Sequence, residues 1–408
     1  MRSVKLTALF AAALIAVSAF TSCGDSNSSS APSSSAAETV SSVTTEAEPS
    51  SEAEAPAADL ARSGEVRDLS AAELVAEMTT GWNLGNSLDV FGKSGTAAEV
   101  AWGNPKTTKE MIDAVVGKGF DIIRVPVTWG DHVDEQNKID EAWMIRVQEV
   151  VNYVYDSGAY VILNSHHEEA WRITDNAHIE EVDKKTAEIW AQIAERFKDY
   201  GDHLIFEGLN EPRVKGSKEE WTGGTEEGRA CVNRLNKTFI DTVRATGGNN
   251  QNRLLLLTTY ASACSSKAIK DAELPTGDKH LGFSIHAYTP YAFTYKSGES
   301  WELFKWDGSH DSEILGMMYD LKETFIDNGF PVIITEYGAV NKDGNDEEVA
   351  KWAASYLETA KTVGIPCVWW DNGYYTSGNE LFGIFNRKTC QWYTETVVDT
   401  LIKSSAKS

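Results

Sequence analysis

Leu204-Ile205-Phe206-Glu207-Gly208-Leu209-Asn210-Glu211-Pro212 is an apolar run that ends in an amide, an acid and a proline. Its first residues suit a buried strand, and Pro212 stops the ladder and turns the chain. With Leu204–Asn210 as the candidate strand, seven further segments have similar character: Gly81–Ser87, Ile122–Thr128, Tyr160–His166, Leu254–Tyr260, Leu281–Tyr288, Pro331–Tyr337 and Pro366–Asp371. Between them lie stretches with helical spacing. In Asp183–Tyr200, for example, Trp190, Ile193, Ala194 and Phe197 make one apolar stripe. Lys109–Gly117, Glu141–Tyr155, Glu226–Ala245, Ser312–Asn328, Asp346–Val363 and Thr394–Lys403 read alike, and Ser70-Ala71-Ala72-Glu73 is a capping-box pattern opening a leading helix.

Eight strands alternating with helices predict an α/β fold of the (β/α)8 TIM-barrel type, whose chemistry belongs at the C-terminal strand ends. The polar residues obey that rule. Arg124, His166, Asn210, Glu211, His286, Tyr288, Glu336 and Trp370 all stand near the ends of their segments. A doubly wound sheet is the alternative, but no Gly-rich phosphate loop follows the first strand.

Two of these residues are acids, Glu211 and Glu336, 125 positions apart. Two carboxyl groups converging on one cleft are the minimum needed to cut a glycosidic bond: one protonates the leaving oxygen, the other attacks or activates water. Strict alternation puts Glu207 on the face of Glu211, but deeper, so Glu207 is expected to be a barrel-interior carboxylate held by hydrogen bonds. For a lone strand-end acid a loop cap or salt bridge is the ordinary role; Asn210 beside Glu211 and the other polar strand ends tip the reading toward catalysis. Glu336 ends the buried run Ile333-Ile334-Thr335 and needs a nearby cation to stay ionised, which Arg124 can supply. A barrel salt bridge is the plainer role for Arg124, and the two are compatible.

His166 and His167 invite a metal reading. Alternation speaks against it, since consecutive strand residues point to opposite faces, so hydrogen bonding to sugar hydroxyls or carboxylates is expected instead. No metal and no cofactor is expected. His286 and Tyr288, two apart, can both reach the cleft. Of Trp369 and Trp370, one can floor a sugar site while the other packs on the helices.

The remaining composition fits a secreted protein. Arg2 and Lys5 precede the apolar stretch Leu6–Phe20, so residues 1–22 read as a signal peptide. Phe20-Thr21-Ser22-Cys23-Gly24 resembles a lipobox, with Cys23 as the lipidated residue of an exported, cell-surface bacterial lipoprotein. Residues 23–64 are rich in Ser, Ala, Glu, Pro and Thr and are expected to form a disordered linker. The catalytic domain is then 65–408. Acidic residues outnumber basic ones by 61 to 37, a formal charge of −24. That disfavours nucleic acid and anionic membrane surfaces and suits a neutral substrate, so membrane contact is expected only through the lipid. Cys231, Cys264, Cys367 and Cys390 show no zinc-like spacing, and their redox state cannot be read from sequence. A monomer is the default.

Taken together, several motifs resemble glycoside hydrolase family 5, most closely the bacterial endoglucanases of subfamily 4. They are Gly81-Trp82-Asn83-Leu84-Gly85-Asn86-Ser87-Leu88-Asp89, Trp102-Gly103-Asn104-Pro105, Arg124-Val125-Pro126-Val127-Thr128-Trp129, Asn164-Ser165-His166-His167-Glu168, Asn210-Glu211-Pro212, His286-Ala287-Tyr288, Thr335-Glu336-Tyr337-Gly338 and Trp369-Trp370-Asp371-Asn372-Gly373. They appear in family order, and the resemblance covers roughly residues 66–404. Ser87 stands where Thr is commoner and Ser165 where an apolar residue is usual. The resemblance implies a retaining mechanism with Glu211 as acid/base and Glu336 as nucleophile, about 5–5.5 Å apart. It implies that Arg124 supports the nucleophile, Asn210 binds a sugar 2-hydroxyl, Trp370 stacks beneath the sugar, and Asn86, His166, His167, His286 and Tyr288 complete the substrate site. Burial and the charge on Glu336 are expected to raise the pKa of Glu211. The implied substrates are cellulose or mixed-linkage β-glucan, with xyloglucan next and mannan lower. A noncatalytic glycan-binding lipoprotein and a metal-dependent amidohydrolase are the readings from other classes.

Overall fold

The computed structural model describes residues 60–295, 298–378 and 380–407. The signal peptide, Cys23 and the linker as far as residue 59 lie outside the described residues. In chain order the helices and strands are α1 (Ala71–Val75), β1 (Thr80–Asn83), α2 (Lys109–Lys118), β2 (Ile122–Val125), α3 (Glu141–Tyr155), β3 (Tyr160–Asn164), α4 (Ile179–Arg196), β4 (Leu204–Glu207), α5 (Glu226–Ala245), β5 (Leu255–Ala263), α6 (Ser266–Lys270), β6 (Leu281–His286), α7 (Tyr291–Thr294), α8 (Asp311–Thr324), β7 (Val332–Tyr337), α9 (Asp346–Thr362), β8 (Cys367–Trp369), β9 (Phe385–Asn386), β10 (Gln391–Trp392) and α10 (Glu395–Ser405). Strands β1 to β8 form a closed parallel barrel in sequence order. This is the (β/α)8 fold that the sequence predicts.

Alternation sorts the side chains into two cores. Outward residues such as Ile123, Val125, Phe206 and Ile334 pack beneath the helices. Inward residues Ile122, Ile162, Ile205, Leu256, Ile333 and Val368 make an apolar layer, closed below by Leu74, Val75 and Met78 of α1 and the turn after it. Gly81 belongs to this layer because a Cβ there would lie 2.7 Å from the Ile122 carbonyl. The capping box holds α1 in place: Glu73 N–H donates to Ser70 Oγ, and Ser70 N–H donates to the Glu73 carboxylate. One pleat higher the inward residues are Asn83, Arg124, Glu207, Ser284 and Thr335, so the interior changes from apolar to polar as it nears the C-terminal mouth.

Several boundaries differ from expectation for local reasons. Helix α4 begins at Ile179, because Ile179 and Val182 join a small core with Leu209, Cys231 and Leu235. Strand β1 ends at Asn83, because Asp89 accepts the N–H groups of Asn86 and Ser87 and folds the following loop. The folded domain starts before residue 65. The Leu60 carbonyl accepts from Asn152 Nδ2 at 2.7 Å and Tyr200 at 3.2 Å, and Arg62 pairs with Asp156. The β9–β10 hairpin was not foreseen; its N–H groups at Ile384 and Phe385 donate to Asp371 and fasten the chain just past β8. Cys231, Cys264, Cys367 and Cys390 are all free thiols. No helix among the described residues is long and apolar enough to cross a membrane.

Candidate active site

Arg124 sits at the centre of the mouth, fully buried. Its Nε and Nη2 grip Glu207 at 2.6 and 3.0 Å, its Nη1 donates to Glu336 Oε1 at 2.6 Å and to Asn83 Oδ1, and Nη2 also reaches Asn210 Oδ1 at 2.8 Å. Burial opposes its charge, but Glu207 and Glu336 outweigh burial and raise its pKa further, so it is a permanent cation. Glu207 also accepts from Ser284 Oγ at 2.7 Å, which makes it the hydrogen-bonded interior carboxylate expected from its depth.

Glu336 receives a second donor, the Tyr288 hydroxyl, at 3.0 Å from Oε2. Burial and the charges of Glu336 and Glu211 push the Tyr288 phenol far above its usual value, so it stays protonated and donates. A register shift between Ile285 and His286 sets His286 beside Glu336 across β6 and β7. His286 Nδ1 then lies 3.0 Å from Glu211 Oε1 and 3.4 Å from Glu336 Oε2. The facing oxygens of the two glutamates lie within 4.8 Å of one another, with His286 between them.

Glu211 reaches this cleft by a turn rather than by strand alternation. Strand β4 stops at Glu207, and Glu211 has a φ of 42°, a left-handed conformation costly for a side chain with a Cβ. Its N–H donates to Ser262 Oγ at 3.0 Å, and Ser262 is delivered by an irregular stretch of β5 in which Ala261 and Ser262 also have positive φ. The expected upward pKa shift of Glu211 is not found. Burial raises it, but the His286 bond and the charges of Arg213 and His286 outweigh burial and leave it below the ordinary glutamate value.

The histidine pair departs from the alternation argument. Strand β3 ends at Asn164, so the rings of His166 and His167 are not forced apart; their centroids lie 4.6 Å from each other. With Asp89 they form a group with metal-ligand spacing, but both Asp89 oxygens already accept backbone N–H groups. Burial first, then the charges of His167, Arg124 and His286, hold His166 well below its usual pKa and keep it neutral. Its Nδ1 faces the Asn164 amide nitrogen at 3.0 Å and so accepts, which leaves Nε2–H as a donor. His167 is raised instead: burial opposes its charge, but the bond to Glu169 and the charges of Glu169, Asp89 and Glu211 prevail.

Trp370 and Trp369 separate as alternation requires. Trp369 is wholly buried among Tyr337 and Trp352, whereas Trp370 lies at the mouth, parallel to the His166 ring with 2° between planes and 5.8 Å between centroids. Asn86 has a φ of 56° at the rim, where its carbonyl accepts from Asn104. Sequence reading missed Glu169, Arg213 and Glu380. Arg213 follows Glu211 by two residues, and Glu380 feels both glutamates strongly enough that burial and their charges raise its own pKa. Phe91 and Trp102, 5.1 Å apart edge to face, extend the aromatic wall outward from His167.

A parallel (β/α)8 barrel with two close carboxylates, an arginine on one and an aromatic floor at its C-terminal mouth defines a glycoside hydrolase. Residues 84–376 match the family described as Cellulase (glycosyl hydrolase family 5), and the chain belongs to that family. Endoglucanase A of Ruminococcus albus is 71% identical over 350 residues, which cover 85% of this chain and 96% of that relative. Among solved structures, a broad-specificity endoglucanase of family 5, subfamily 4, from Clostridium longisporum superposes with a TM-score of 0.80 at 43% identity, covering 84% of this chain and 99% of that one. A family 5 xyloglucan-specific endo-β-1,4-glucanase from a metagenomic library, solved with cellotriose, gives a TM-score of 0.79 at 42% identity over 82% of this chain and 98% of its own.

Proposed function

We propose that the chain is a retaining endo-β-1,4-glucanase that hydrolyses internal bonds of cellulose or mixed-linkage β-glucan, with Glu336 as nucleophile and Glu211 as acid/base. The observation that carries this reading is the approach of their oxygens to within 4.8 Å, with Arg124 bound to one carboxylate and His286 between the two. An inverting pair needs about 6.5–9.5 Å to admit a water, whereas a retaining pair needs about 5–5.5 Å.

The steps follow from the site. Glu336 Oε2 attacks the anomeric carbon while Glu211 gives its proton to the glycosidic oxygen, and the C–O bond to the leaving sugar breaks. Arg124 and Tyr288 keep Glu336 ionised and aimed. Glu211, now a carboxylate, takes a proton from water as the hydroxide displaces Glu336 and frees the sugar. Asn210 Oδ1 accepts from Arg124 Nη2, which leaves its Nδ2 free to donate to a sugar hydroxyl. His166 Nε2–H and Asn86 are further polar contacts to the sugar, His167 borders it, and Trp370 is its floor.

The test is hydrolysis of barley mixed-linkage glucan, carboxymethylcellulose, xyloglucan and glucomannan, with Glu336→Ala alongside. Expected is β-glucan cleavage that the variant loses, with the new reducing end formed in the β configuration. An α product, or a variant as active as wild type, would refute the assignment. Xyloglucan preference is the second reading, favoured by the likeness to a xyloglucan-specific structure. The arrangement of residues 1–23 further supports export with Cys23 lipidated; failure of Cys23 to take up labelled palmitate in cells would count against it.

A further inference from the structure

Glu211 Oε1 faces His286 and Glu336, the side where the sugar under attack must lie. Its other oxygen faces a different group. Arg213 Nη1 donates to the Glu211 carbonyl at 2.9 Å and lies 3.3 Å from Oε2. The same guanidinium gives Nη2 to Glu169 Oε1 at 3.2 Å and Nε to Glu220 Oε1 at 3.0 Å, and the Trp221 ring covers it at 4.4 Å. Arg213 is 8% exposed, yet it lies outside the Arg124 network.

We infer that Arg213 and Glu169 are positioning residues for the acid/base, a fixed cation and a fixed anion on the leaving-group side of Glu211 that hold its orientation and set its proton affinity in opposite directions. This rests on the acid/base assignment above. Arg213 Nη1 meets both the main chain and the side chain of Glu211 while Nη2 and Nε are held by Glu169 and Glu220, so the left-handed turn and the carboxylate are fixed by one group. Both partners keep their charge. Burial opposes ionisation of Glu169, but His167 and Arg213 bring its pKa down to about 2, while Glu211, Glu169 and Glu220 raise that of Arg213. The other titratable groups around Glu211 are His286 at the end of β6, Tyr288 just beyond it, Glu336 of β7, His167 beyond β3 and Glu380 beyond β8. Among the described residues, only Arg213 touches Oε2.

The sign follows directly. Glu211 must hold a proton to act as acid, so kcat/KM falls as pH rises through its pKa. Removing the Arg213 cation raises that pKa and moves the alkaline limb up; removing the Glu169 anion lowers it and moves the limb down. Position is read separately, because a leaving group that departs without protonation does not need the acid.

The experiment measures kcat/KM against pH for wild type, Arg213→Met, Arg213→Lys and Glu169→Gln, on barley glucan and on 2,4-dinitrophenyl β-cellobioside, with melting curves for each. For Arg213→Met the loss on glucan should be about 10–100-fold while the dinitrophenyl substrate changes far less, because general-acid help is worth about 100-fold or more only where the leaving group needs it. Its alkaline limb should move up and that of Glu169→Gln down. Arg213→Lys should keep the wild-type limb but lose rate on glucan, since it keeps the charge without the fork. Equal losses on both substrates with an unmoved limb, or limbs that move the same way in Arg213→Met and Glu169→Gln, would overturn the inference. Failure of the glucanase reading shows instead in the wild type, as no turnover of either substrate.

Discussion

Glu207→Gln separates the interior carboxylate from the two at the surface of the cleft. Glu207 Oε2 takes Arg124 Nε at 2.6 Å, and Oε1 takes Arg124 Nη2 at 3.0 Å and Ser284 Oγ at 2.7 Å. A glutamine of the same shape must turn an NH2 group toward one guanidinium N–H, so one charge-assisted bond becomes a donor–donor contact in a site with no water access. Losing one side of a buried pair costs about 3–5 kcal/mol, and the amide's remaining bond returns part of it, so about 3 kcal/mol is expected. With a melting entropy of about 0.7 kcal/mol/K for roughly 350 folded residues, Tm should fall by about 4 °C. Arg124 would then lean on Glu336 alone and stabilise the resting nucleophile. A strengthening of about 1.4 kcal/mol would slow kcat about tenfold. Scanning calorimetry and steady-state kinetics on barley glucan read both effects. An unchanged Tm would refute the structural role, and a rate loss as deep as that of Glu336→Ala would place Glu207 in the chemistry.

Tyr288→Phe removes the 3.0 Å donor to Glu336 Oε2. A bond to a charged group is worth about 1.5–3 kcal/mol, so kcat/KM should fall about 10–100-fold, and an unaltered value would show that Arg124 alone holds the nucleophile. His132, buried and stacked on Trp143 at 3.7 Å, is lowered from 6.5 to about 4, mainly by burial. A depressed histidine binds fewer protons folded than unfolded, so stability is whole above pH 6.5 and declines as pH falls toward 4, by about 3 kcal/mol. His132→Phe should flatten that part of the Tm–pH curve; an equal slope in both proteins would contradict the assignment.

The barrel was legible because its signals are periodic. Apolar runs such as Ile122–Val125 and Ile333–Ile334 and stripes such as Trp190–Phe197 repeat on the spacing that strands and helices impose. The strand-end rule also singled out Arg124, Glu336, His286 and Tyr288, which the structure brings together. Legibility stopped where the strands do. Glu211 and the His166–His167 pair lie beyond β4 and β3, where a positive φ or a loop sets direction and alternation no longer applies. Arg213 and Glu169 come from different loops, and no periodicity records that two loops meet. The direction of the Glu211 shift was misjudged because neither the His286 bond to its carboxylate nor the Arg213 charge beside it is recorded in strand alternation. That residues 60–64 pack on the barrel was missed because a single carbonyl, accepting from Asn152 and Tyr200, carries no compositional mark.

That same carbonyl holds residue 60 against the barrel. Leu60 and Arg62 are pinned near the end of α3 and the turn after α4, and Gly64 donates to Asp199. In a (β/α)8 barrel the ends of the helices lie on the face from which the strands set out, opposite the cleft. Any fusion partner, affinity handle or solid support joined directly to residue 60 therefore attaches behind the active face. A long polymer threading across the mouth would meet no obstruction at that junction, so immobilising the enzyme by its upstream end should preserve access for chains too large to diffuse around it.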